Sequence, residues 1–442
     1  MNPPFALHAD LLDFSAEPAL ADRDSPAVRW RPGHWLLVNA QGRIEAVTPQ
    51  APGDDWHKTD VRGQLLLPGF IDSHVHCPQL DVIASWGTEL LDWLNTYTFP
   101  AEAKYADPAV ARAGAALFLD ALLAHGSTSA VVFPTVHAAS AHALFDAAQQ
   151  RGMRLVSGKV LMDRHAPENL RDDVAAAEID CEALVQRWHG RGRLAYAVTP
   201  RFAATSSEAQ LAMAGRLLAR HEGLYMQTHV AENRAEVAWV RELFPAARSY
   251  LDVYAQHGLL GERSVLAHGI WLDQNDRALL HATGAQIAFC PSSNLFLGSG
   301  LFGWAAARDA GVAVSLASDV GGGTSLCALR SMADGYKVQA LAGQPVTAWA
   351  LLHAATRGAA QALRLGHEIG SLEPGAMADL CLWRWAQGPV ASRRLSLTRN
   401  LHEKVFAWLT LGDERNLAQC WVAGRPRLPP TESLSSSIYA TT

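Results

Sequence analysis

No two of the six cysteines (77, 181, 290, 327, 381 and 420) lie at CxxC spacing, which excludes a zinc knuckle and a thioredoxin motif. Cysteines this scattered read as free thiols in a reducing cytoplasm. An excess of one charge is missing too. With 37 Lys and Arg against 43 Asp and Glu, the net charge is −6, so no nucleic-acid partner is expected. An uncharged stretch at 338–356 contains Gln339, Gly343, Gln344 and Pro345. It suits a loop entering a buried helix rather than a membrane span. The opening MNPPFALHADLLD carries an early Asp10 and no basic segment, so it does not read as a secretory leader. Disorder is also excluded, because 49% hydrophobic residues suffice for a large core.

What is present is an alternation. Short apolar, β-branched runs at 70–76, 129–133, 155–161, 194–200, 224–229, 264–268, 286–290 and 312–318 are separated by Ala- and Leu-rich stretches such as 109–125 and 208–221. Buried strands alternating with helices predict a parallel sheet covered on both faces. Eight such units point to a (β/α)8 barrel of the TIM type, whose site lies at the C-terminal strand ends. An open doubly wound sheet is the rival, but no GxGxxG follows the first strand and polar residues end many strands rather than one. The termini read as β instead, at 35–38, 43–47, 379–383 and 418–422, so both ends are expected to build one small β-sandwich. The expected partition is 1–66 and 371–442 for the sandwich and 67–370 for the barrel. The Ser-rich tail at 433–437 reads as frayed.

The strongest local signal is FIDSHVH, 70–76. His74 and His76 stand two apart on a strand and so share a face, and imidazole suits zinc. Other strand ends bring His229, His268 and Asp319. Three histidines (74, 76 and 229) with Asp319 at a barrel mouth can form a metal site, with His268 beside it. Asp319 has a second reading as the N-cap of a helix after Gly321-Gly-Gly323. Glu232 follows His229 by three residues, so the chain must leave the strand there for its carboxylate to face the site. Cys77 falls on the face opposite His76 and reads as packing. Lys159 lies on the third strand rather than the fourth, where a lysine bridging two metals would stand, so one metal per chain is expected.

This pattern, flanked by β-rich ends, resembles the amidohydrolase superfamily. The motifs PGFIDSHVHCPQ (68–79), LLDWLNTYTFPAE (90–102), GKVLMDR (158–164), TPRF (199–202), HVAENRAEV (229–237), CPSSNLFLGSGLF (290–302), SDVGGG (318–323) and LGDERN (411–416) resemble its guanine deaminases in order. The first 64 residues carry little of this signal. The resemblance implies hydrolytic deamination of guanine, a small-molecule purine, to xanthine and ammonia, in purine catabolism. It implies one Zn2+ per chain on His74, His76, His229 and Asp319. Glu232 and Asp319 would move protons and His268 would hydrogen-bond the attacking water. Gln79, Arg201 and Phe202, with Glu232 and His268, would hold the purine. The segment 78–102, with Trp86, Trp93, Tyr97 and Phe99, would form a wall or lid, although its aromatics equally suit packing of the barrel top or a dimer contact. A cytoplasmic homodimer is implied as well. The alternative is a sibling enzyme acting on 8-oxoguanine, a pterin or an aminotriazine. The other zinc deaminase architecture, built on P-C-x-x-C, is excluded because CxxC is absent.

Overall fold

Apolar β-branched runs bury both faces and therefore need helices on either side. In the computed structural model, which describes residues 3–87 and 90–427, they form a barrel. Its strands are Phe70–His76, Ser127–Phe133, Arg154–Ser157, Leu194–Pro200, Tyr225–Val230, Ser264–His268, Gln286–Phe289 and Val314–Leu316, adjacent in that order. The pairings are parallel. The expected strand at 155–161 is interrupted. It stops at Ser157, and Val160–Leu161 pairs separately with the fourth strand. Gly158 passes so close to that strand that a Cβ would sit 1.8 Å from the Ala197 carbonyl oxygen. Helices start where the sequence offers caps. Asp107 accepts the Ala109 N–H at the head of Pro108–Ala124, and Ser207 accepts the Gln210 N–H at the head of Glu208–Arg220.

The last strand closes on the first through the residues beyond it. Asp319 N–H donates to the His74 carbonyl and His76 N–H to the Val320 carbonyl, both at 2.9 Å. Buried Asp72 staples this seam. Its carboxylate accepts the Ser318 N–H at 3.0 Å, the Ser318 hydroxyl at 2.5 Å and the His74 N–H at 3.3 Å. Burial pushes its pKa up to about 6, against the pull of those donors. Asp72→Ala would strand three buried donors, each at about 1–3 kcal/mol. We expect unfolding stability to fall by about 3 kcal/mol or more, read from denaturant midpoints, with Asp72→Asn far milder because its amide oxygen still accepts.

The two ends of the chain meet in one seven-stranded sheet, in the order Arg425–Arg427, Leu417–Val422, Leu380–Trp383, His57–Pro68, Phe5–Phe14, Val28–Val38, Ile44–Thr48. Strand alternation lets it serve two cores. Leu65 and Leu67 join the main core around Phe70 and Phe118, while Leu66 packs with Leu7, Leu36 and Leu380. The tail at 433–437 lies outside the described residues. No helix among those described is long and apolar enough to cross a membrane.

Candidate active site

The mouth of the barrel is built where strands stop. His74 and His76 end the first strand, His229 lies one residue before the end of the fifth, and His268 ends the sixth. The backbone turns sharply at three of these ends, with φ of 47° at Ala231, 71° at His268 and 50° at Asp319. Non-glycine residues rarely hold such angles, and the surrounding fold must enforce them. At Ala231 the turn does what the sequence required: the strand ends at Val230 and Glu232 swings into the site. Asp319 caps no helix, since the next one begins at Ala328 with Cys327 before it.

His74, His76, His229 and Asp319 bring one donor atom each within 4.8 Å of the others. His76 Nε2 lies 3.2 Å from both His74 Nε2 and His229 Nε2, and Asp319 Oδ1 lies 3.1 Å from His74 Nε2 and 3.3 Å from His76 Nε2. The edge of a tetrahedron with vertices ~2.0 Å from its centre is about 3.3 Å, so these spacings fit a cation with zinc-like bond lengths. Protonation states agree. The Nδ1 of His229 lies 2.7 Å from the Arg201 carbonyl, which can only accept, so Nε2 keeps its lone pair. Burial, aided by His74, lowers His76 to about 3 and holds His229 well below its usual value. Burial alone would raise Asp319, but His74 and His76 hold its carboxyl well below the ordinary range. Unprotonated imidazoles at His76 and His229 facing an ionised carboxylate suit the donor set a divalent cation needs.

Cys77 packs into the main core, its thiol pushed up by burial. Lys159 is engaged by Asp172 at 2.5 Å.

On one side of the four donors stand the proton-handling groups. Glu232 Oε1 accepts the Ser299 hydroxyl at 2.9 Å, and Glu232 Oε2 lies 3.4 Å from His268 Nε2. Burial, then the charge of Asp319, raises Glu232 to about 8. His268 Nδ1 meets the Asn294 side-chain oxygen at 2.9 Å, which leaves Nε2 as an acceptor, 3.7 Å from Asp319 Oδ2.

A pocket opens beside the four donors and these groups. It is lined by Gln79, Arg201, Phe202 and Glu232 among others, with Leu90, Trp93 and Leu94 as a wall. That wall lies in the expected segment. Trp93 and Phe99 are buried, whereas Trp86 is 76% exposed and takes no part. Phe202 meets the Trp239 ring edge-on at 6.2 Å.

Arg201 is not a free donor. Its Nη1 pairs with Glu102 at 2.8 and 2.6 Å, and the Glu102 carboxylate also accepts Gln79 Nε2 at 3.1 Å. Reading the sequence identified the segment but not Glu102, and it missed Asn294 and Ser299. The signal for Glu102 was Phe99, three residues earlier on one helix face. Asn294 lies in the short helix Pro291–Phe296 and Ser299 just beyond it, in a stretch with no periodicity to expose them.

Comparison with known proteins agrees with this geometry. Residues 65–426 match the Amidohydrolase family. The guanine deaminase of Escherichia coli (strain K12) is 42% identical over 395 residues, covering 88% of this chain and 90% of the relative. The solved E. coli guanine deaminase superposes with a TM-score of 0.92 at 38% identity, over 97% of this chain and all 100% of that one. A guanine deaminase from C. acetobutylicum, solved with guanine in its active site, gives 0.87 at 25% identity, over 96% and 100%. With its barrel, its strand-end donors and these relatives, the chain belongs to the amidohydrolase family, in its guanine deaminase branch.

Proposed function

We infer that this chain hydrolyses guanine to xanthine and ammonia, with a single zinc ion held by His74, His76, His229 and Asp319. The observation that carries the reading is the four-donor cluster, with Glu232 and His268 beside it, at a largely apolar pocket that Gln79, Arg201 and Phe202 also line. Zinc in such a site acidifies water to a pKa of ~7 and so supplies a nucleophile at neutral pH.

The residues of the chain do the rest. Water must add to C2, an amidine-like carbon, and the ring nitrogen beside it must gain a proton. Glu232, still protonated below a pH of about 8, is placed to deliver it. Asp319 and the His268 acceptor take a proton from the water and pass it to the exocyclic amine, which leaves as ammonia. Collapse to the carbonyl releases the second water proton, which restores Glu232. The two water hydrogens thus end on the ring nitrogen and on ammonia. Arg201 and Gln79 face the oxygen-bearing edge, and Phe202 walls the ring plane.

An ultraviolet assay with guanine, 8-oxoguanine, a pterin and an aminotriazine tests the assignment, and guanine should dominate by kcat/KM. Elemental analysis should give one zinc per chain, and a chelator should abolish turnover until zinc is restored. Two equivalents, both needed for activity, would sink the mononuclear reading.

The six buried free thiols support a cytoplasmic setting, and the resemblance supports a homodimer serving purine catabolism. The shared sheet supports 1–66 and 371–442 as one unit around the barrel at 67–370.

A further inference from the structure

Glu102 has 0% exposure, sits on the short helix Phe99–Ala103, and accepts three hydrogen bonds. Two come from Arg201 Nη1 and one from Gln79 Nε2. The other end of the Gln79 amide is held as well, since its Oε1 accepts the Gly321 N–H at 3.1 Å. A carboxylate only accepts and a backbone N–H only donates, so the two neighbours together dictate which way the amide points. Phe99 lies beneath the Arg201 guanidinium, 5.4 Å from ring centroid to Cζ, and restrains it from a third side. These partners come from the wall segment, the end of the fourth strand and the turn after the eighth.

We propose that Glu102 is a positioning residue for substrate selection: it fixes Arg201 and Gln79 so that donors face the 6-position of the purine. The proposal rests on the reading of Arg201 and Gln79 as purine-edge residues. A glutamine free to rotate by half a turn offers a donor or an acceptor at will and cannot tell an oxo group from an amino group. Held between Glu102 and Gly321, it cannot make that exchange. Glu102 touches no reacting atom, and its effect passes through two other side chains.

The discriminating pair is guanine and 2,6-diaminopurine, which carry the same 2-amino leaving group but differ at C6. Glu102→Gln removes the charge that anchors Arg201 and gives Gln79 a partner that can donate as well as accept. The guanine-to-diaminopurine ratio of kcat/KM should fall tenfold or more, mainly through a higher KM for guanine, with kcat per bound zinc within threefold of wild type. A merely structural loss would scale both substrates equally and leave the ratio alone. Glu102→Asp keeps the charge but is too short to span both partners, so it should lower the ratio too. It serves where the glutamine variant does not fold. In an Arg201→Met background Glu102→Gln should lower the ratio by less than it does in the wild type, because only the route through Gln79 remains. A ratio within twofold of wild type in a folded, zinc-loaded variant overturns the positioning role alone. A wild-type protein without guanine turnover overturns the functional reading, and the proposal falls with it.

Discussion

Glu232→Gln should keep one zinc per chain and lose about 10²–10⁴-fold in kcat, on the order of 3–5 kcal/mol of barrier. Glutamine preserves the shape and can still accept the Ser299 hydroxyl, so the packing around it has no reason to change. What it cannot do is release a proton to the ring nitrogen and recover one later. Glu232 is well suited to that task, because burial and Asp319 raise its pKa to about 8 and keep it protonated at neutral pH. It is not among the four clustered donors, which is why metal content should hold. Steady-state kinetics on protein of known zinc content decides the matter. A near-normal kcat would reduce Glu232 to a structural partner of Ser299 and His268.

Much of this site was legible because strand geometry is strict. A period of two puts His74 and His76 on one face, and Cys77, the first residue of the 3-10 turn beyond the strand, packs into the core. The departure at Glu232 was forced by the same rule, and the left-handed Ala231 is the local answer to it. The terminal strands were harder to see. The first half of His57–Pro68 is charged and exposed, and only its last four residues are buried, so no apolar run announces it. Asp72 shows another limit. It was visible within FIDSHVH, yet its partners on Ser318 lie 246 residues away, and no local pattern pairs them. Glu102 is the same case, since a fully buried carboxylate is legible only once its cation is found.

That pairing changes what Arg201→Met should do. With no partner, Arg201 could be replaced at little expense in stability. With Glu102 buried against it, the substitution leaves a carboxylate uncompensated in the interior, at about 3–5 kcal/mol, so the melting temperature should drop clearly. Arg201→Lys separates the two functions. An ammonium still neutralises Glu102 and should recover much of the stability, but it lacks the planar fork that presents parallel donors to a carbonyl oxygen. Both variants should therefore lose guanine turnover while only the methionine variant melts early. The size of the loss follows from the chemistry of the edge. A site built to hydrogen-bond a substrate group rejects analogues lacking it by ~10⁴ or more, because its donors stay unpaired. Removing the donors forfeits that margin from the other side. For Arg201→Met we expect kcat/KM for guanine to fall by at least ~10³, with adenine remaining a non-substrate because it carries no 2-amino group to lose. Kinetics paired with calorimetric melting, at equal zinc content, reads both effects in one preparation. If Arg201→Lys retains wild-type kcat/KM, a positive charge is sufficient at this position. The guanidinium would then act as the counter-ion of Glu102 and not as the reader of the purine.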